Sequence, residues 1–323
     1  MRSLGSRFYC IRKECQARTA KFLASPRLCV YNSDVTILLS IIVLAVVQGL
    51  AELLPVSSSA HVIVAEKLLG MDPTSPEMTL LLVMLHTGTM IAVILYFWRS
   101  WKGTYFSSWT ATWRTVKLLF LATVMTGVVG WALKWIIEKF VFRDAPKAEI
   151  ELLFGNLTLI AAALAAVGFF IIYAGLRHSR NGDHGHPVAA REATWIGLVQ
   201  GLCLPFRGFS RSGATISSGL VAGVSKASAE EFSFALAVIL TPPVVGREIM
   251  RLLESRGALA AQGGGHTLGL FLPGLFGLVC SFLAGLLALR WLTRWLERGR
   301  WHYFGYYCLF AAAMVLLVRA AGY

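Results

Sequence analysis

Apolar residues run along most of this chain in segments of two lengths. Six segments hold roughly the 20 residues that a membrane-spanning helix needs, and they cover 79–98, 118–137, 150–176, 229–249, 268–289 and 302–321. Four shorter segments form two pairs, 35–51 with 55–69 and 195–204 with 214–224, and a polar break separates the members of each pair. A helix that ends at membrane depth is tolerated where it is buried in protein or lines a wet cavity. The pattern predicts an all-α polytopic membrane protein with two re-entrant helical hairpins.

The two polar breaks belong to an internal repeat. Val47-Gln48-Gly49-Leu50 recurs as Val199-Gln200-Gly201-Leu202. Each copy leads into a proline-containing, serine-rich break that three full-length helices follow. One hairpin plus three spans has odd topology, so the second copy must be inverted relative to the first. The sequence therefore predicts two inverted repeats, about 35–176 and 193–321, within one membrane domain at 35–323.

Residues 1–34 differ from the rest of the chain because they are rich in arginine and lysine. A secretory signal peptide is one interpretation, with Val35–Leu50 as its apolar region. No small-residue cleavage site follows, since the apolar run continues into residues 51–55. We interpret 1–34 as a basic, poorly ordered extension or as residues upstream of the true start.

The composition agrees with a membrane protein and excludes several other classes. Of the 323 residues, 56% are hydrophobic and only 15% are charged, which argues against a disordered chain, a disulfide scaffold and a nucleic-acid module. The net charge of +13 matches the lysine and arginine that cytoplasmic loops collect. Loops 99–117, 177–191 and 290–301 hold this excess and are predicted to be cytoplasmic; 70–78, 138–149 and 250–267 are predicted to lie outside. The segment 1–34, with a net charge of +5, is the exception, because this topology places it outside. Either the segment is not retained, or the first hairpin is a full span.

The first polar break places ionisable residues at membrane depth. Each such residue costs about 2.5–3.5 kcal/mol on insertion scales, so Glu52 and His61 are functional candidates together with the serines at 57–59. Gln48 lies one helical turn before Glu52, on the same face. Glu52 and His61 could face one cavity, as an acid–base or metal-plus-base site requires. The structural alternative is a protonated Glu52 that bridges two helices, with serines bonded to backbone carbonyls.

The second polar break, 208–215, has the composition of an oxyanion-binding loop. Its glycines permit positive φ angles, so successive N–H groups can point at one anion, and a helix predicted to start at Ala214 adds its positive end. Arg211 supplies a planar fork that matches phosphate oxygens. Hydroxyl donors come from Ser210, Ser212 and Thr215. The alternative is a Gly/Ser helix break with Arg211 at the membrane interface; Arg207 could be a second phosphate contact or an interfacial residue. His86, inside a full span, fits a hydrogen-bonded core histidine better than a catalytic one.

The two breaks resemble motifs of the undecaprenyl-diphosphatases of the bacitracin-resistance type, also called undecaprenyl pyrophosphate phosphatases. The matching stretches are 48–61 and 208–215, and the similarity covers about 35–321. The resemblance implies hydrolysis of undecaprenyl diphosphate to undecaprenyl phosphate and phosphate. It also implies a multi-pass protein of the bacterial cytoplasmic membrane whose site opens toward the outer side, with the lipid substrate, the bilayer and a second copy of the chain as partners and no nucleic acid.

The resemblance further implies roles for individual residues and a divalent cation, Mg²⁺ or Ca²⁺. The nucleophile is either water or Ser58. Two positions depart from the family pattern, Gln48, where glutamate is frequent, and Arg207, where proline is usual. The implied catalytic residues are Glu52, Ser58, His61 and Arg211, the implied metal ligand is Glu52, and the implied phosphate-binding residues are Gln48, Ser210, Arg211, Ser212, Gly213 and Thr215.

A transporter of an anion, or a flippase of the lipid carrier, is the rival interpretation. Inverted repeats with broken helices are a frequent transporter plan. The combination of Glu52 and His61 with an arginine-bearing oxyanion loop is more than transport requires, and it favours the hydrolase.

Overall fold

The computed structural model describes residues 26–71, 76–140, 156–181, 185–260 and 267–321. The chain divides into two compact units, Met1–Ile41 and Ile42–Tyr323; of the first, the described residues are helical. The predicted all-α class is confirmed, since the described residues form ten helices and one isolated extended bridge. The helices are α1 Pro26–Leu53, α2 Ser58–Leu69, α3 Pro76–Thr104, α4 Trp109–Phe140, α5 Leu157–Asn181, α6 Ala190–Cys203, α7 Arg211–Val221, α8 Lys226–Ala260, α9 Thr267–Glu297 and α10 His302–Ala320.

Within these described ranges, five helices are long and apolar enough to cross a membrane. They cover Met78–Thr104, Trp109–Phe140, Leu157–Ser179, Leu272–Glu297 and His302–Ala320. The sixth predicted span, 229–249, lies in α8, which is 35 residues long but falls outside this group. Helix α8 carries two glutamates near its start and Pro242-Pro243 in its interior. Because five other helices can cross a membrane, the chain is a multi-pass membrane protein.

The short helices fall at the two places where the sequence predicts broken ones. Helix α2 has 12 residues and α7 has 11, so at 1.5 Å per residue they are about 18 and 17 Å long. The hydrocarbon core of a bilayer is about 30 Å thick. Helix α1 begins at Pro26, upstream of the predicted start at 35, and residues 1–25 lie outside the described part of the chain.

Helix α7 packs inside the bundle against α5, α6 and α8. It is rich in small and hydroxyl-bearing residues, yet every residue from Ser212 to Leu220 is buried. Its hydroxyls are satisfied locally or by neighbours: Ser218 donates to the Thr215 carbonyl at 2.8 Å, and Ser217 accepts from Trp301 Nε1 at 2.9 Å. Because α7 is a polar helix buried in an apolar bundle, its first turn, which begins at Arg211, lies deep in the protein.

A second buried polar cluster ties α3, α8 and α9 together. Thr293 Oγ1 donates to Glu230 Oε1 at 2.7 Å and lies 3.1 Å from the hydroxyl of Tyr96, which donates to it. This cluster is separate from the two polar breaks and contributes to helix packing.

Candidate active site

The first half of the site is the carboxylate of Glu52 at the end of α1. The helix ends at Leu53, because the residue before a proline disfavours helical geometry and Pro55 has no N–H. Glu52 Oε1 lies 2.6 Å from Arg211 Nη2. Its Oε2 accepts from Ser58 Oγ at 2.5 Å and from Gln48 Nε2 at 3.2 Å. The one-turn spacing of Gln48 and Glu52 thus gives a direct hydrogen bond.

Ser57 forms the turn that directs Ser58 toward Glu52. Its φ angle is 68°, a left-handed conformation that costs a non-glycine residue about 1–3 kcal/mol. The side chain of Ser57 is buried, and its hydroxyl lies 3.3 Å from that of Ser59. The strained residue immediately precedes the start of α2, so it fixes the direction of the Ser58 side chain.

The second half of the site is the turn before α7. Gly208 has a φ angle of 102°, and a Cβ at this position would lie 2.5 Å from the Ile160 carbonyl oxygen, so the turn requires glycine. Ser210 caps the helix by accepting from the Gly213 N–H at 3.2 Å. The helix begins at Arg211, which corrects the predicted start at Ala214.

Gly213 corrects a second expectation from the sequence. It lies in the first turn of α7 and is not among the residues with positive φ. Its role is spatial, because a Cβ there would meet Ile171 Cδ1 at 2.8 Å and Pro55 Cβ at 3.2 Å. The missing side chain therefore allows the two hairpins to approach each other.

Three contacts join the hairpins. Arg211 pairs with Glu52, and side chains at both ends of this pair are largely buried, with exposures of 25% and 10%. Ser212 Oγ donates to the Leu54 carbonyl at 3.3 Å, and the Gly208 N–H donates to Ser59 Oγ at 3.4 Å. The two sequence motifs, far apart in the chain, thus form one site.

Between the hairpins lies a partly polar cavity of about 220 Å³, large enough for several water molecules or a phosphate group. Five of the implied catalytic and phosphate-binding residues line it directly, whereas Gln48 is not in the lining and contacts Glu52. Thr215 instead donates to the Arg211 carbonyl at 2.8 Å, which supports the first turn of α7 from behind. The lining comprises Ala51, Glu52, Ser57, Ser58, Ser59, Gln200, Cys203, Leu204, Phe206, Arg207, Phe209, Ser210, Arg211 and Ser212.

The structure does not bring His61 to Glu52. His61 Nδ1 lies 2.8 Å from the Ser57 carbonyl, which can only accept, so this nitrogen donates. In the neutral ring Nε2 then accepts from the Tyr307 hydroxyl at 2.8 Å. His61 and Tyr307 line a second, mainly apolar cavity of about 170 Å³. His61 is therefore linked to the site through the backbone of Ser57.

The histidine beside Glu52 is His86. Its Nε2 lies 3.7 Å from Glu52 Oε2, while its Nδ1 donates to the Leu82 carbonyl at 2.8 Å. His86 is thus the hydrogen-bonded histidine that the sequence suggested, and it is also a neighbour of the site. In the sequence, the one signal for His86 was its position within an apolar span.

The side chains around Glu52 do not form a metal centre of their own. In the described part of the chain, no cluster of three or more histidine, cysteine, aspartate or glutamate side chains could hold a metal ion. Glu52 is the carboxylate of the cavity, and both of its oxygens accept from hydrogen-bond donors. A positively charged guanidinium 2.6 Å away disfavours a cation on its own, so a cation would enter this site together with an anionic ligand.

Comparison with known proteins agrees with these motifs. The family described as bacitracin resistance protein BacA matches residues 41–314. The chain is 57% identical over 282 residues to undecaprenyl-diphosphatase 2 of Acinetobacter baylyi, covering 86% of this chain and 97% of that protein. It is 33% identical to undecaprenyl-diphosphatase 2 of Burkholderia orbicola (85% and 95% covered). It is 31% identical to the undecaprenyl-diphosphatase of Korarchaeum cryptofilum (85% and 97% covered). The chain belongs to the BacA family, as the resemblance of its two motifs predicted.

Proposed function

We propose that this protein hydrolyses undecaprenyl diphosphate to undecaprenyl phosphate and inorganic phosphate, and so recycles the lipid carrier for peptidoglycan and envelope polysaccharide synthesis. The observation that carries the proposal is the contact set of one carboxylate: Glu52 accepts from a serine hydroxyl on one oxygen and pairs with an arginine on the other. This arrangement lies in a partly polar cavity within an apolar helical bundle. Such a cavity suits the diphosphate group of a lipid substrate that lies in the membrane.

Arg211 would bind the terminal phosphate. A guanidinium has five N–H donors in a planar fork, so Arg211 can keep its bond to Glu52 and still donate to phosphate oxygens. The N-terminus of α7 adds partial positive charge at the same point, and Ser210, whose oxygen accepts from Gly213, retains its own O–H for donation. These groups would stabilise the negative charge that the equatorial oxygens carry during phosphoryl transfer.

Ser58 would be the nucleophile, with Glu52 as its base. Ser58 transfers its proton to Glu52 Oε2 while Oγ bonds to the terminal phosphorus, and the bond from phosphorus to the bridging oxygen breaks. Undecaprenyl phosphate leaves with the electron pair and takes the proton from Glu52. Water then attacks the phosphoserine, gives a proton to Glu52, and Ser58 regains its proton as phosphate departs. The alternative is direct attack by water that Glu52 activates.

The divalent cation stays part of the proposal as a companion of the substrate. Glu52 would be its one protein carboxylate, and diphosphate oxygens would supply most ligands, an arrangement that Mg²⁺ often adopts. When bound, the cation would neutralise charge on the diphosphate. The steps above need only residues of the chain.

We also infer that the two repeats are inverted. Gly49 and Gly201 hold the same place in the repeated motif. A Cβ on Gly49 would lie 2.6 Å from Ala284 Cβ in α9, and a Cβ on Gly201 would lie 2.5 Å from Val129 Cβ in α4. Helices α4 and α9 are the fourth helices of their repeats. Likewise α5 packs on α10 and α3 on α8, so the third and the fifth helix of each repeat pack on their counterparts. The loop charges agree with this inversion. The inner-membrane location and the outward-opening site are further parts of the proposal, and they rest on the resemblance to the family.

A homodimer through α4 is a further part of the proposal. In the apolar stretch of α4 17% of residues are buried, against 33–56% in the other four spans. Lipid can cover the same face, so cross-linking in membranes is the test. Val128→Cys on α4 should cross-link between copies, whereas Leu287→Cys on α9, also outward-facing, should not.

The decisive experiment follows phosphate release by the purified protein from undecaprenyl diphosphate in detergent. Rapid-quench sampling should show a burst of undecaprenyl phosphate ahead of free phosphate, because a phosphoserine intermediate separates the two products. Ser58→Ala should abolish the burst and steady-state release, while Ser107→Ala, in the exposed loop after α3, should leave both intact. Phosphate release that persists in Ser58→Ala indicates water as the nucleophile. Binding without any release contradicts the hydrolase and supports the transporter.

A further inference from the structure

Gln200 is a buried amide whose polar atoms have no hydrogen-bond partner in the described part of the chain. Its exposure is 1%, and neither Nε2 nor Oε1 is bonded to any described residue. It lies in α6, three residues before the end of the helix at Cys203, and it is one of the residues that line the cavity with Glu52 and Arg211. Buried polar groups in native proteins are almost always hydrogen-bonded, so an orphan of this kind needs an explanation.

The internal repeat allows Gln200 to be compared with an equivalent glutamine. Gln48 is the counterpart of Gln200 in the first repeat and donates to Glu52 at 3.2 Å. Gln48 thus has a partner inside the protein, whereas Gln200, in the other hairpin, is one of the residues that line the cavity and has both polar atoms unused among the described residues. Leucine or methionine would fill the position without leaving polar atoms unpaired. The amide therefore suits a partner that enters the cavity.

We propose that Gln200 is a substrate-binding residue whose Nε2 donates to a phosphate oxygen of the bound diphosphate. The inference rests on the proposed function, because the diphosphate is the anion that Arg211 and the start of α7 would hold in this cavity. A diphosphate offers acceptors only, so Nε2 is the atom that it can engage. Oε1 would accept from water in the cavity, next to the phosphate that water finally hydrolyses.

Gln200→Met is the informative variant, since methionine keeps the length and removes both polar atoms. Loss of an orphaned buried amide should leave thermal stability equal or higher. Loss of one hydrogen bond to a charged group should lower kcat/KM about 10- to 100-fold, mainly through KM, and weaken inhibition by inorganic phosphate by a similar factor. Gln200→Glu should be worse, because a carboxylate faces the anion.

Thr293→Val provides the matched control. Thr293 belongs to the buried cluster of Glu230 and Tyr96, away from the cavity, so its loss should lower stability and leave KM and phosphate inhibition unchanged. A ligand contact should change kcat/KM and phosphate inhibition without lowering stability, whereas a structural residue should lower stability alone. Gln200→Met with wild-type kcat/KM and phosphate inhibition overturns the inference.

A binding measurement makes the inference independent of turnover. Inorganic pyrophosphate should raise the Tm of the wild type and raise that of Gln200→Met less. Pyrophosphate protection in a protein that releases no phosphate from undecaprenyl diphosphate defeats the proposed hydrolysis and leaves Gln200 as an anion contact. Equal protection of both proteins, or no protection of the wild type, defeats the Gln200 inference itself.

Discussion

Glu52 Oε1 and Arg211 Nη2 lie 2.6 Å apart although 159 positions of sequence separate the two residues. This pair joins the break after α1 to the break before α7. It also couples stability to activity, because each member would be a buried, unpaired charge without the other.

Arg211→Ala should therefore remove hydrolysis and also lower stability. Loss of one such charge contact to the reacting group typically reduces kcat by 10²–10³, and an unpaired buried carboxylate costs about 3–5 kcal/mol. The double variant Arg211→Ala/Glu52→Gln should regain much of the Tm and none of the activity. Arg177→Ala, an exposed arginine beside Tyr173, serves as the control. Recovery of hydrolysis in the double variant would contradict the phosphate-binding role.

His61 offers a test between positioning and proton transfer. Its Nδ1 donates to the carbonyl of strained Ser57 at 2.8 Å, directly before Ser58. His61→Ala should lower kcat at least about tenfold because the turn loses this clamp. His61→Asn can place an amide N–H near the Nδ1 position and should retain more activity than His61→Ala. Equal losses of about 10²–10⁴ in both variants would instead support the acid–base role that the sequence predicted.

Gly208→Ala should destabilise the protein and its site together. The φ angle of 102° is strained for alanine, and the Cβ would overlap the Ile160 carbonyl oxygen; the backbone strain alone is about 1–3 kcal/mol. Gly127→Ala in α4 is the matched control, since nothing lies within 4 Å of its Cβ. Thermal unfolding in detergent should separate the two variants. Equal Tm values would mean that the turn before α7 can adopt another conformation.

Gln48→Glu should increase the dependence on divalent cations. The new carboxylate would replace an amide that lies 3.2 Å from Glu52 Oε2, and two like charges at this distance repel unless a cation or proton intervenes. Phosphate release titrated with Mg²⁺ after chelation is the measurement. Gln48→Met removes the hydrogen bond without adding charge and should leave the cation requirement unchanged. The same Mg²⁺ titration curve for Gln48→Glu and the wild type would refute the expectation.

Single cysteines test the inverted repeats. In a background without the six native cysteines, Met71→Cys should react with an impermeant thiol reagent in intact cells, because loop 70–78 carries no excess of basic residues. Ser108→Cys, Arg191→Cys and Arg298→Cys should be protected until the cells are opened. Labelling of positions 71 and 191 from the same side would show that the hairpins are not inverted.

The sequence predicted the helical class and the two breaks because both depend on local composition. Each of these features determines the backbone conformation of residues close to it in the sequence. They are the long apolar runs, Pro55 and the Gly/Ser-rich loop. The site contacts that the sequence missed are of another kind. The packing of α3 brings His86 to Glu52, and the packing of α6 brings Gln200 to the cavity; no local pattern encodes either contact. The expected partnership of Glu52 and His61 rested on nearness in sequence, whereas the strained turn at Ser57 directs Ser58 to Glu52 and His61 to Tyr307.

The separation of Glu52 from Arg211 along the chain has a consequence for biogenesis. Translation at about 5–20 residues per second makes Arg211 roughly 8–30 s after Glu52, over the 159 positions between them. During this interval the first hairpin has a carboxyl group without its counter-ion, and an ionised carboxylate is disfavoured in hydrocarbon. We therefore expect the segment around Glu52 to stay protonated or near the interface until the second half of the same polypeptide supplies Arg211.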